Sequence, residues 1–166
     1  MSALNLLRGW TFALACMALG TAAHALWKAQ ATAAGGVELV PVIDRAAIKE
    51  LIRQGRRVVF VDAREEAEFN EEHLPGARNI TLRDIEADKV EELKRADVVV
   101  AYCLKDFRGF EVAKRLGEAG IGQVKIMQPF GLNGWKAEHL PTAGKSGVSE
   151  ADAWQRLTAW SKGAAR

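Results

Sequence analysis

The 166-residue chain has little of what most directly gives a function away. It has two cysteines, Cys16 and Cys103, and three histidines, His24, His73 and His139. None of these stands at metal-ligand spacing, so no metal centre is expected, and no cofactor is implied. Positive and negative side chains nearly cancel, 23 Lys and Arg against 21 Asp and Glu, with no block of one sign. The few aromatics are not interleaved with basic residues, so a nucleic-acid partner is set aside. There is no internal repeat. The length allows one ordinary globular domain and something extra.

The extra piece is amino-terminal. Between Arg8 and Lys28 there is no Asp, Glu, Lys or Arg. One positive charge, a short apolar core and then Ala23-His24-Ala25 read as a secretory signal peptide over 1–25, cleaved after Ala25. The competing reading is an uncleaved anchor, since the uncharged stretch is just long enough to span a bilayer. Either reading sends the domain out of the cytoplasm, free in a bacterial periplasm or tethered facing it. Residues 26–36, small and featureless, read as a linker, followed by a domain over 37–143 and an amphipathic helix within 144–166. Cleavage leaves Cys103 as the sole cysteine. A lone thiol cannot form an internal disulfide, so it is either inert or kept for chemistry.

Short apolar runs alternate with helical patterns along the domain. Strands are expected at 37–40, 58–61, 77–80, 97–102 and 123–127. Helices are expected at 45–54 behind Asp44 as N-cap, and at 65–69, 88–95 and 109–119. This alternation makes an α/β fold: three layers, with a central, mostly parallel five-stranded sheet flanked by helices. The tail helix, opened by Ser149, carries Trp154, Leu157 and Trp160 at three-residue spacing. That stripe either docks on the domain or offers a contact to a protein or membrane.

Cys103-Leu104-Lys105-Asp106-Phe107-Arg108-Gly109 is the most informative segment. It joins the buried run Val98–Tyr102 to an amphipathic helix, so the thiol stands at the carboxyl end of a strand and the amino end of a helix. Open α/β sheets place ligand sites there. Free backbone N–H groups and the helix dipole favour an anion at that point and lower a thiol's pKa. Lys105 and Arg108 argue against simple apolar burial.

Three stretches carry a family resemblance. The first is Asp62-Ala63-Arg64 with Glu68-Phe69, then His73-Leu74-Pro75-Gly76-Ala77 and Asn79-Ile80. The second is the Cys103–Arg108 loop, and the third is Gly131-Leu132-Asn133-Gly134-Trp135. Together they resemble the rhodanese family of sulfurtransferases, as a single-domain member covering about 37–141. The loop is Cys-x4-Arg; the related phosphatases carry the longer Cys-x5-Arg loop that wraps a phosphate. The shorter cradle suits one extra sulfur atom. The resemblance implies a Cys103 thiolate that takes the outer sulfur of a small anionic donor such as thiosulfate. The resulting persulfide passes its sulfur to a thiol or cyanide. Leu104, Lys105, Asp106, Phe107, Arg108 and Gly109 would bind the donor. Asp62 and Arg64 would pair to support the loop, and His73 would hold its own loop through a hydrogen bond.

Asp106 stands where the family usually has glycine. A backbone needing positive φ accepts Asp less easily than Gly. A carboxylate ~6 Å from a thiolate, in an effective dielectric of ~20, opposes it by roughly 3 kcal/mol. Lys105, Arg108 and the helix dipole outweigh one anion, so a lowered thiol pKa is expected. Asp106 also favours the competing reading, a non-catalytic binding module built on the same cradle.

Overall fold

The computed structural model describes residues 40–86 and 90–163; the expected signal segment, linker and first strand residues 37–39 lie outside the described residues. The apolar runs form strands β1 (Val42–Ile43), β2 (Val58–Asp62), β3 (Arg78–Asn79), β4 (Val98–Tyr102) and β5 (Val124–Met127). They make one five-stranded sheet in the order β1-β5-β4-β2-β3, parallel at every pairing. Between them lie helices α1 (Arg45–Arg53), α2 (Glu66–Glu71), α3 (Phe107–Glu118), α4 (Gly131–Ala137) and α5 (Glu150–Ser161).

β-branched residues fill the central strands because both faces are covered. Side chains alternate across a strand. Val99, Ala101 and Cys103 therefore face α3, where Val112, Ala113 and Leu116 complete one core. Val100 and Tyr102 face the other way, toward Ile48 of α1, Leu132 and Trp135 of α4 and Leu157 of α5. β4 pairs with β2 from Val58↔Val98 to Asp62↔Tyr102, which brings Asp62 beside the residue before Cys103.

Several boundaries differ from the sequence reading. Among the described residues the first strand is Val42–Ile43, which the sequence reading did not place; of the strand expected at 37–40 only Val40 is described, and it is not in a strand. The charged helix expected at 88–95 is a 3-10 turn over Glu91–Arg95, with Val90 and Leu93 buried; 87–89 are outside the described residues. α3 starts at Phe107, two residues early, because its first turn exposes Phe107 and so carries no periodic signal. Gly131–Ala137, read as a glycine turn, is a helix, its propensity masked by two glycines.

Of the stripe Trp154, Leu157 and Trp160, two residues dock on the domain and Trp154 stays exposed. Leu157 is fully buried. Trp160 packs 5.9 Å from Trp135, with the Lys49 ammonium 5.2 Å above its ring. The Trp154 ring lies 3.5 Å from where a Cβ on Gly76 would stand, and keeps part of its surface exposed. Leu157 and Trp160 face inward because they complete the second core. No helix among the described residues is long and apolar enough to cross a membrane.

Candidate active site

Two glycines shape the cysteine loop. A Cβ on Gly109 would stand 3.0 Å from the Cα and carbonyl carbon of Tyr102, so the first turn of α3 lies directly against the end of β4. Gly131, at φ +44°, is tighter: a Cβ there would come within 2.3 Å of the carbonyl oxygens of both Cys103 and Lys105. The Leu132 N–H donates to the Cys103 carbonyl at 2.8 Å, and the Asn133 N–H to that of Leu104 at 3.1 Å. The loop carbonyls are thus drawn toward α4. In a trans peptide the N–H opposes the C=O, so the amides turn the other way. Among the described residues, the N–H groups of Leu104 to Gly109 donate to no backbone carbonyl. They remain available to an anion.

Within this curl the Cys103 thiol is free and buried, with 3% of the residue exposed. Leu104 and Lys105 are exposed, Asp106 is half-buried and Gly109 is buried. Phe107 is 78% exposed, and Phe130, at φ +63° just before Gly131, is 60% exposed. Apolar side chains therefore flank the loop. Phe130 is a bulky residue in the left-handed region, a conformation that persists only where the surroundings impose it.

Arg108 is not free. Its Nη1 and Nη2 donate to Glu68 Oε2 and Oε1 at 2.6 and 3.0 Å, a bidentate pair reaching from α3 to α2. The Glu68 hydrogen bonds raise the Arg108 pKa, with smaller contributions from the Cys103 and Asp62 charges. Glu68 moves down, first through the same bonds. Sequence reasoning missed this partner. Its only signal was the Glu-Phe motif, which does not say what Glu68 meets 40 residues later.

Asp62 and Arg64 form a buried pair. Arg64 Nη2 donates to Asp62 Oδ2 at 2.7 Å, and Nε to Oδ1 at 3.0 Å. Arg64 Nη2 also donates to the Glu72 carbonyl at 2.5 Å. Burial opposes the Arg64 charge, but the Asp62 hydrogen bonds and charge more than offset it, and its pKa is raised. The Tyr102 hydroxyl accepts from the Leu74 N–H at 3.0 Å. Burial, then the Asp62 charge, pushes that phenol well up, so it stays neutral. The Asp62–Arg64 pair thus ties the ends of β2 and β4 to the 72–74 turn; neither residue is bonded to the thiol.

His73 lies behind the site. Its Nδ1 bonds the Phe69 carbonyl at 2.7 Å, its Nε2 meets Glu150 Oε1 at 2.5 Å, and its ring stacks on Phe69 at 3.9 Å. His139 is exposed. No group of three or more His, Cys, Asp or Glu among the described residues could hold a metal ion.

Asp106 departs from the expected strain. Its φ of −136° and ψ of −34° need no glycine. The side chain occupies the N-cap position of α3 yet caps no N–H, and its Oδ1 is buried without a hydrogen-bond partner. A buried acceptor left so costs about 1–3 kcal/mol.

The domain has counterparts among known proteins. The family model for the rhodanese-like domain matches residues 44–138, more than half of the chain. The chain belongs to the rhodanese-like family. It is 32% identical over 99 residues to YtwF of Bacillus subtilis, covering 60% of this chain and 93% of that protein. It is 29% identical over 94 residues to the thiosulfate sulfurtransferase GlpE of Coxiella burnetii, covering 57% and 84%. Among solved structures, the BH2092 protein of Bacillus halodurans superposes with a TM-score of 0.55 at 25% identity, over 66% of this chain and 81% of that one. Rhodanese-like membership and a likeness to sulfurtransferases are therefore established for the domain.

Proposed function

We propose that this rhodanese-like domain is a sulfurtransferase. It moves a sulfane sulfur from a small anionic donor such as thiosulfate to a thiol or cyanide through a persulfide on Cys103. The observation that carries the reading is the buried free thiol at the end of β4, in a six-residue Cys-x4-Arg loop whose amides donate to no carbonyl. The thiolate attacks the outer sulfur of thiosulfate. The S–S bond of the donor breaks, and its electron pair leaves with sulfite. The loop amides hold the sulfur that remains on Cys103. An acceptor thiolate or cyanide then attacks that sulfur and returns Cys103 to the thiolate.

Leu104, Lys105, Asp106, Phe107, Arg108 and Gly109 line the donor's approach in this reading, and Asp62 and Arg64 support the loop. The engagement of Arg108 by Glu68 leaves exposed Lys105 as the cation that draws the donor in. We place the enzyme outside the cytoplasm, in a periplasm, on the strength of residues 1–25. One observation favours the alternative of a non-catalytic binding module: the loop arginine is already neutralised and Asp106 adds a negative charge. Steady-state assay with thiosulfate and cyanide decides between them. Thiocyanate and sulfite formation by the parent, abolished in Cys103→Ser, supports transfer. A folded parent that forms neither, with cyanide or with a thiol acceptor, is the module.

A further inference from the structure

The exposed surface of the cysteine loop is apolar. Six large apolar side chains are exposed among the described residues. Three of them gather here: Leu104, 38% exposed, and Phe107 belong to the loop, and Phe130 precedes Gly131, whose backbone lies against the Cys103 and Lys105 carbonyls. Neither phenylalanine ring meets another ring or a cation among the described residues. Phe130 also carries the backbone cost of the left-handed region while burying less than half of its surface. Its ring gains little within the chain from that conformation. Exposed apolar surface gathered in one place marks a contact with something else.

The same loop has little positive charge to offer. Arg108 is the cation on which the Cys103 charge acts, yet both of its terminal nitrogens donate to the Glu68 carboxylate. Arg64 is likewise held by Asp62 at the end of β2. Asp106, the loop's other polar side chain, supplies no positive charge. Lys105 is exposed and solvated. One free cation suits one negative charge.

We propose that this site selects a sulfur donor with a single negative charge and an apolar body, and that Glu68 and Phe130 determine the choice. The class is an organic sulfane-sulfur monoanion, of which a thiosulfonate, R–SO2–S⁻, is a simple case. Thiosulfate carries two charges and no apolar group. The inference deepens the sulfur-transfer reading and rests on it. The Cys103 thiolate attacks the terminal sulfur of the thiosulfonate. The donor's S–S bond breaks, and its electron pair leaves with the sulfinate, R–SO2⁻. The terminal sulfur stays on Cys103, and no oxidant or reductant is consumed. Glu68 acts on charge: it holds Arg108 neutral, so a second negative charge on the donor finds no partner. Phe130, with Phe107 and Leu104, acts on the apolar body, which leaves water against these side chains.

The test offers the full chain three donors: thiosulfate, methanethiosulfonate with one charge and a methyl group, and benzenethiosulfonate with one charge and a ring. Loading is read by intact mass and by steady-state kinetics with cyanide. Each kcat/KM is divided by the donor's uncatalysed rate with cyanide, which removes its intrinsic reactivity. In the parent the corrected value is expected to rise about tenfold from thiosulfate to methanethiosulfonate and about tenfold again to benzenethiosulfonate, both through KM. Glu68→Gln closes the first step by lowering the KM for thiosulfate. Phe130→Asn, a residue that tolerates the left-handed region, closes the second step and keeps the first. Equal corrected values in the parent, or a preference for thiosulfate, overturn the proposal and leave sulfur transfer standing, whether or not either variant folds. A parent that gains sulfur from none of the three loses the proposed function, and donor selection with it. Light scattering at the assay concentration should show a monomer. A dimer that Phe130→Asn dissociates would assign the rings to a second copy of the chain and overturn the proposal.

Discussion

Glu68 shows how one side chain resets a site's charge. Its bidentate hold on Arg108 neutralises the loop's arginine. Glu68→Gln is expected to free that charge and lower the KM for thiosulfate several-fold, measured by steady-state kinetics. The pair is about a third exposed, so its contribution to stability is small, up to about 1 kcal/mol. The sign of its pH dependence is definite. The folded pKa of Glu68 lies below its ordinary value of 4.5, so the contribution is complete above that value and is lost as pH falls through the lower, folded one. Urea unfolding should show the parent ahead of Glu68→Gln at neutral pH and the two alike in acid. A gap that persists in acid would show that ionic pairing is not its source. At this scale the sequence was uneven. The local Asp62–Arg64 pair, two residues apart at a strand end, was legible. Glu68 was not, because its partner depends on how α2 and α3 are set across the loop.

At the scale of elements, α4 is as much a part of the site as the cysteine loop. Gly131→Ala would drive a Cβ within 2.3 Å of two loop carbonyls at a φ that side chains avoid. We expect persulfide formation to fall at least tenfold and stability by more than about 1 kcal/mol. Gly117→Ala, in α3, meets open space at an ordinary φ and should stabilise by about 0.5–1 kcal/mol without touching activity. Loss of stability in both, by thermal unfolding, would contradict this account. The sequence showed α1, α3 and strands β2, β4 and β5 because each has a full apolar stripe or a β-branched run. It hid α4, whose glycines look like a turn until the packing that demands them is seen, and it missed β1, a two-residue strand too short to leave a pattern.

At the scale of the molecule, α5 closes the face of the sheet opposite α3 and clamps the 73–76 turn. Glu150 binds both His73 and the Gly76 N–H, and Leu157 is buried in the second core. Leu157→Ala should cost about 2–5 kcal/mol in urea unfolding. A loss near zero would mean that α5 stands off the domain in solution. The parallel sheet was legible from the alternation of runs. The direction of the tryptophan stripe was not, since an inward and an outward stripe have the same spacing. The whole arrangement converges on one atom, the Cys103 Sγ. The most direct measurement is the intact mass of the full chain after incubation with thiosulfate, beside Cys103→Ser. The account predicts a gain of one sulfur atom in the parent alone, removed by a thiol or cyanide. A folded parent that gains none, or a gain that survives in Cys103→Ser, would contradict it.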